Sequence, residues 1–144
     1  MLNIKIHAIP GATHPVYQTE GSAGADLYSY TSDDIAVHPG ETKLIPTGIS
    51  LEIPEGYEGQ IRPRSGLALK HNITLLNSPG TIDSDYRGEI KILLTNLGTE
   101  PFLVTNHMRI AQLVIAPCVR AAFETASTLA SSERGSGGFG HTGI

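Results

Sequence analysis

The stretch Gly88-Glu89-Ile90-Lys91-Ile92-Leu93-Leu94-Thr95 alternates apolar and polar side chains and then becomes continuously apolar. Alternation has the two-residue period of a strand, and the apolar end predicts burial on both faces. A second strand of this kind is read at Arg109 to Ile115, sequence RIAQLVI. Upstream, Ile49, Leu51 and Ile53 alternate with Ser50 and Glu52, after which Pro54-Glu55-Gly56 makes a turn. Leu2, Ile4 and Ile6 alternate with Asn3, Lys5 and His7 in the same way. Short strands punctuated by turn residues about every eight to twelve positions predict an all-β barrel or sandwich. One short stretch reads as helix, Ser65 to Lys70, with Ser65 as its N-cap.

The 144 residues suit one well-buried domain and are too few for two ordinary ones. The 16 Gly and 9 Pro fit a fold of strands and turns, because both residues break helices. With 40% hydrophobic and 17% charged residues, neither a disordered tail nor a charged coiled coil is expected. No apolar run approaches the ~20 residues of a membrane span. Met1 to Lys5 lacks the basic start and apolar stretch of a secretory signal, and the single cysteine, Cys118, fits a reducing compartment. A soluble, cytoplasmic protein is the expectation. Cys118 itself, beside Ile115, Ala116 and Val119, reads as a small buried hydrophobe. A formal charge of −4 argues against broad attraction to nucleic acid, so an anionic ligand requires the ten Lys and Arg to be gathered at one place. From Ser127 the chain turns Ser- and Gly-rich, which divides it into a β-rich domain, residues 1–126, and a flexible C-terminal arm, residues 127–144.

Several segments carry candidate chemistry. In Asn77 to Glu89, Pro79-Gly80 favours a tight turn, with Thr81-Ile82-Asp83 beginning the return strand of a hairpin. Its backbone groups suit the edge of a flat heterocycle, and Asp83 and Asp85 share a face if the chain stays extended. The same run also fits a solvated turn. Arg62-Pro63-Arg64-Ser65-Gly66 sets two arginines before a helix start, where unpaired N–H groups favour an anion, though ordinary surface arginines read identically. Gln112 interrupts the apolar strand on the side of Ile110 and Val114, and its amide needs a partner from a neighbouring backbone or a ligand. Gly135, Gly137 and Gly140 match G-x-G-x-x-G with no helix after them, which rejects a dinucleotide site and leaves a loop bearing Arg134 and Phe139. The six histidines lack zinc-ligand spacing, and no G-x-S-x-G elbow is present.

Taken in order, Ala23 to Tyr28, Arg62 to Lys70, Asn77 to Glu89, Arg109 to Ile115 and Arg134 to Gly143 resemble the five motifs of the trimeric deoxyuridine triphosphatase (dUTPase) family. Each is weak alone; their order and spacing over nearly the whole chain carry the likeness. The resemblance implies a distorted jelly-roll β fold and a homotrimer whose active sites are built at subunit contacts. It implies Mg²⁺-dependent hydrolysis of dUTP to dUMP and pyrophosphate, which limits uracil in DNA and supplies dUMP for thymidylate synthesis. By the same likeness Asp83 activates the attacking water and holds the 3′-hydroxyl, while Tyr86 packs under the deoxyribose. Asn77, Thr81 and Ile82 read uracil. Arg64, Ser65, Gly66 and Gln112 hold phosphate oxygens, and Lys91 is a further substrate contact. Arg134 and Phe139 close the arm over the site, where His141 stands in place of the usual Ser. Mg²⁺ is held by phosphates and water rather than by direct protein ligands, with Asp26 reaching it through water, and Asp85 and Arg87 are read as a structural ion pair. The alternatives are a dCTP deaminase, which shares the fold but usually has a different third motif, and a non-catalytic nucleotide-binding trimer.

Overall fold

The computed structural model describes residues 2–141; Met1 and the arm positions Thr142, Gly143 and Ile144 lie outside the described residues. In chain order the first strands are β1 Lys5–Ala8, β2 Ala25–Tyr28, β3 Ile35–Val37, β4 Thr42–Pro46, β5 Ile49–Glu52 and β6 Tyr57–Arg62. The helix α1, Ser65–His71, follows, and then β7 Ile73–Leu75, β8 Gly80–Ile82, β9 Lys91–Asn96, β10 Phe102–Val104 and β11 Arg109–Pro117. All pairings between these strands are antiparallel, in the orders β1-β5, β10-β3, β2-β11-β6-β8 and β4-β9-β7. This is the all-β body that the strand spacing predicts, with one short helix, in the jelly-roll-like form that the resemblance implies.

The two-residue period explains which side chains go in. In β5, Ile49 and Leu51 are buried and Ser50 and Glu52 are not. In β9, Ile92 and Leu94 enter the core, and Thr95 and Asn96 at its far end are buried as well, as its apolar run predicts. Leu27, Val37, Ile45, Leu51, Ile73, Leu94, Val104 and Leu113, drawn from all four sheets, meet in one cluster. Each such side chain contributes roughly 1.5–3 kcal/mol by leaving water. The fully buried Asn96 is satisfied: its Nδ2 donates to the carbonyls of Val37 and Glu100, both at 2.8 Å, and its Oδ1 accepts from the Gly98 N–H at 2.8 Å. At the rim, Lys5 and Glu52 face each other across β1 and β5 with Nζ 2.9 Å from Oε1. The Lys5 hydrogen bond, reinforced by its charge, lowers the Glu52 pKa below its ordinary value. Solvent reaches both groups, so the pair adds little to stability.

Four local expectations are corrected. Ser65 is the first helical residue; Arg64, with φ −95° and ψ 127°, occupies the N-cap and makes no side-chain cap bond. The Arg64 carbonyl already accepts the first intrahelical bonds, from the Leu67 and Ala68 N–H groups, so the helix begins one position earlier. The N-terminal strand starts at Lys5 rather than Leu2, because its partner β5 ends at Glu52. Thr81 and Ile82 do not return along β7: β7 pairs with β9 and β8 with β6, so the Pro79-Gly80 turn carries the chain from one sheet to another. Cys118 is exposed, because it lies past the end of β11 at the rim, its N–H bonding the Gly56 carbonyl at 2.9 Å beyond the last residue of the ladder, where no core side chains cover it. Among the described residues no helix is long and apolar enough to cross a membrane.

Candidate active site

Strand order gathers what the sequence separates. β11 lies between β2 and β6, and β6 in turn carries β8. The register places Gln112 opposite Asp26 on one side and Arg62 on the other. The side-chain alternation breaks at a bulge between Arg109 and Ala111, which buries both Ile110 and Ala111, so Gln112 is not on a common face with Ile110.

Asp26, only 8% exposed, organises this rung. Its Oδ1 accepts from Arg64 Nε at 2.9 Å and its Oδ2 from Arg109 Nη1 at 3.2 Å. Arg64 Nη1 also donates to the Arg109 carbonyl at 3.1 Å, so the guanidinium is held at the head of α1. The Arg64 carbonyl accepts from the Leu67 and Ala68 N–H groups at 3.1 and 3.0 Å, which leaves the amides of Ser65 and Gly66 without a backbone partner among the described residues. Gln112 donates through Nε2 to the Pro63 carbonyl at 2.8 Å, the structural partner its burial demanded. The absence of a side chain at Gly24 makes this possible, since a Cβ there would overlap Gln112 Oε1 and lie 3.1 Å from its Cδ. Arg62, Ser65, Ser78 and Gln112 line a cleft of about 540 Å³. Replacing Asp26 by Ala would leave two guanidinium groups side by side with no counter-charge. The expected cost is about 2 kcal/mol, read from the urea midpoint at fixed protein concentration, with Asp26→Asn losing less because its amide oxygen still accepts.

A second cleft, of about 430 Å³, is lined by Thr81, Ile82, Asp83, Tyr86, Glu89 and Lys91 together with Leu44, Ile90 and Leu93. β8 is an edge strand: β6 pairs with it on one side, and alternate N–H and C=O groups face outward on the other. Asn77 lies exposed in the turn leading into it. Tyr86, 43% exposed, donates its hydroxyl to the Glu89 carbonyl at 3.0 Å. Glu89 accepts from the Gly48 N–H at 2.9 Å and lies 3.5 Å from Lys91 Nζ, which tethers the lysine at the cleft wall. The Asp83 carboxylate is exposed and has no hydrogen-bond or ion-pair partner among the described residues.

Asp83 and Asp85 do not share a strand face. β8 stops at Ile82 and the chain turns, with the Tyr86 N–H bonding the Asp83 carbonyl at 3.1 Å. Nor do Asp85 and Arg87 pair: Arg87 Nη1 donates to the carbonyls of Ser84 at 2.7 Å and Tyr86 at 3.0 Å, turn acceptors that lie closer.

The arm stands apart from both clefts. All residues from Cys118 to Ser136 are exposed, including Val119, Phe123 and Leu129. Arg134 Nε donates to the Gly137 carbonyl at 2.8 Å within its own turn, and Phe139 is fully exposed. Within one chain, then, Arg64, Ser65, Gly66 and Gln112 are brought together, and so are Thr81, Ile82, Asp83, Tyr86 and Lys91. Arg134 and Phe139 join neither group. The two clefts have no lining residue in common. Sequence reading assigned no role to Arg109 or Glu89 and missed the structural one of Asp26. The available signal was an acid inside the apolar run Ala25-Asp26-Leu27, which a strand interior tolerates only with a cation beside it.

Comparison with known proteins adds an independent finding. A family model for dUTPase matches residues 11–143. The chain is 60% identical over 134 residues to the deoxyuridine 5′-triphosphate nucleotidohydrolase of Chlamydia pneumoniae, covering 92% of each chain. It is 55% identical over 142 residues to that of Mesorhizobium japonicum, covering 97% of this chain and 88% of the relative. Among solved structures, the Staphylococcus bacteriophage 80alpha dUTPase with dUpNHpp is similar at a TM-score of 0.87 and 26% identity, over 100% of both chains. A phage phi11 dUTPase mutant, whose structure concerns the coordination of a structural Mg(II) ion, has a TM-score of 0.80 at 21% identity, over 88% of this chain and 98% of its own.

Proposed function

The chain belongs to the dUTPase family, and we propose that it carries out the family's hydrolysis of dUTP to dUMP and pyrophosphate with Asp83 as general base. The supporting observation is an unpartnered carboxylate in the same cleft as an exposed tyrosine ring and a free strand edge. Asp83 orients a water in line with the α-phosphorus and takes its proton as the bond to the leaving diphosphate breaks. Its second oxygen holds the sugar 3′-hydroxyl. Tyr86 lies under the deoxyribose and leaves no room for a 2′-hydroxyl, with Lys91 at the wall of the same cleft.

Uracil offers N3–H as donor and O4 as acceptor to Asn77 and the outward edge of Thr81-Ile82. Cytosine reverses both, so its mispairing strands buried groups. The approach of the turn excludes the thymine methyl. Arg64, the Ser65 hydroxyl, the Gly66 amide and Gln112 take the phosphate oxygens and offset charge moving onto the leaving group. The donor set fits Mg²⁺ arriving on the triphosphate: beyond its two guanidinium bonds, Asp26 keeps lone pairs able to accept from a metal-bound water. Bound there, the ion supplies further charge neutralisation.

The working unit in this reading is a homotrimer. The anion cluster of one subunit faces the Asp83 cleft of the next, and the arm of a further subunit delivers Arg134 and Phe139 as a lid. The exposed Val119 and Phe123, which lead into the arm, and Leu129 within it support it, because apolar side chains along such a segment are shielded when it lies on a neighbour. A reducing, cytoplasmic setting suits the single thiol Cys118.

Pyrophosphate release from dUTP, dCTP, dTTP and UTP, measured in parallel with Mg²⁺, tests the reading. Turnover of dUTP is expected to exceed that of dCTP by ~10²-fold or more, since mismatched donors and acceptors discriminate at that level or above, and to exceed that of UTP and dTTP through the added 2′-hydroxyl and 5-methyl. Ammonia from dCTP, or dUTP bound without turnover, would replace it with the deaminase or the non-catalytic trimer.

A further inference from the structure

We propose that Gly88 is the positioning residue through which this enzyme selects deoxyribose over ribose, an inference that rests on the reading of Tyr86 as the floor of the sugar site. The Tyr86 ring lies directly against the backbone at Gly88. A Cβ built on Gly88 would sit 2.6 Å from Tyr86 Cζ and 2.9 Å from Cε2, and would overlap Oη. Contacts that short do not persist, and the ring has little freedom to yield. Its hydroxyl is tied to the Glu89 carbonyl at 3.0 Å, and the Glu89 side chain is anchored by the Gly48 N–H at 2.9 Å. On the other side its own N–H bonds the Asp83 carbonyl at 3.1 Å.

Gly88 does not adopt the left-handed backbone region reserved for glycine. Alanine is therefore acceptable to the main chain, and the three nearest atoms its Cβ would meet all belong to Tyr86. A side chain at this position lifts the ring toward the substrate or swings it out of the cleft. Either movement changes the space at C2′, where a single hydroxyl distinguishes the two sugars. The ring is also three positions from Asp83 in the same turn, so Gly88 sets the distance between the sugar floor and the base that activates water.

The test compares dUTP and UTP on Gly88→Ala, Tyr86→Ala and the double variant, with kcat and KM for each substrate and UTP inhibition constants where its turnover is undetectable. Because both substrates meet the same protein, incomplete folding cancels from the ratio. Gly88→Ala is expected to reduce the dUTP-to-UTP preference by about tenfold or more, as a misplacement near 1 Å can cost more than that. Tyr86→Ala should reduce it too, and adding Gly88→Ala to Tyr86→Ala should change nothing further. A Gly88→Ala enzyme that keeps the parental preference while Tyr86→Ala loses it overturns the proposal and leaves the tyrosine reading intact. An equal loss from Gly88→Ala with and without the ring also overturns it, since the glycine then acts through the backbone. If Tyr86→Ala itself keeps the preference, the sugar-floor reading falls, and this proposal falls with it.

Discussion

Asp83→Asn is expected to slow pyrophosphate release from dUTP by ~10²-fold or more, the usual loss when a positioned general base is removed. The substitution is nearly isosteric, and the carboxylate it replaces is exposed and unpartnered, so the fold has no interaction to lose. The amide oxygen of Asn still accepts from the sugar 3′-hydroxyl, which keeps substrate binding close to parental. The effect should therefore fall on kcat with KM little changed, the signature of an interaction made in the transition state. A variant that turns over at the parental rate removes Asp83 from the mechanism. A variant with parental kcat and a raised KM makes it a binding residue only.

Mixing two dead enzymes should give a live one. Arg64→Ala removes a cation from the anion cluster, while Asp83→Asn leaves that cluster whole and removes the base in the other cleft. If each site joins the cluster of one subunit to the Asp83 cleft of the next, random reassortment of the two variants makes about one site in four intact. The mixture should then recover roughly a quarter of parental activity after denaturation and refolding together, from two components each lacking ~99% of it. Sites contained within single chains would show no recovery at any mixing ratio. The argument comes from the separation of the two linings, which meet only through the strand Gly80–Ile82 and the rung it pairs with.

Much of the architecture was legible before any coordinates. The alternation in Ile49 to Ile53 and the apolar run ending Gly88 to Thr95 placed two core strands, because a half-buried strand writes its period directly into the chain. The residues from Arg64 to Gln112 to which a role is proposed are legible as residue types in order. What failed was local detail governed by distant partners. Ser65 looked like a cap, yet the boundary moved to Arg64 beside a proline. Cys118 looked buried by its neighbours, yet it lies just past the end of β11 and is exposed. Asp85 and Arg87 looked like an ion pair, yet turn carbonyls were nearer to the guanidinium.

Taken by itself, the sequence determined an all-β class, the strands containing Ile49–Glu52, Lys91–Asn96 and Arg109–Ile115, and which side chain types are able to do chemistry. These follow from periodicity and residue type within a few positions. The tertiary structure alone decided that Asp26 clamps Arg64 and Arg109, that β8 pairs with β6 and not with β7, and that Asp83 occupies a cleft apart from the one lined by Arg62, Ser65 and Gln112. Strand partners are chosen by burying apolar faces that lie far apart along the chain. That choice depends on the whole core at once, so no local pattern records it.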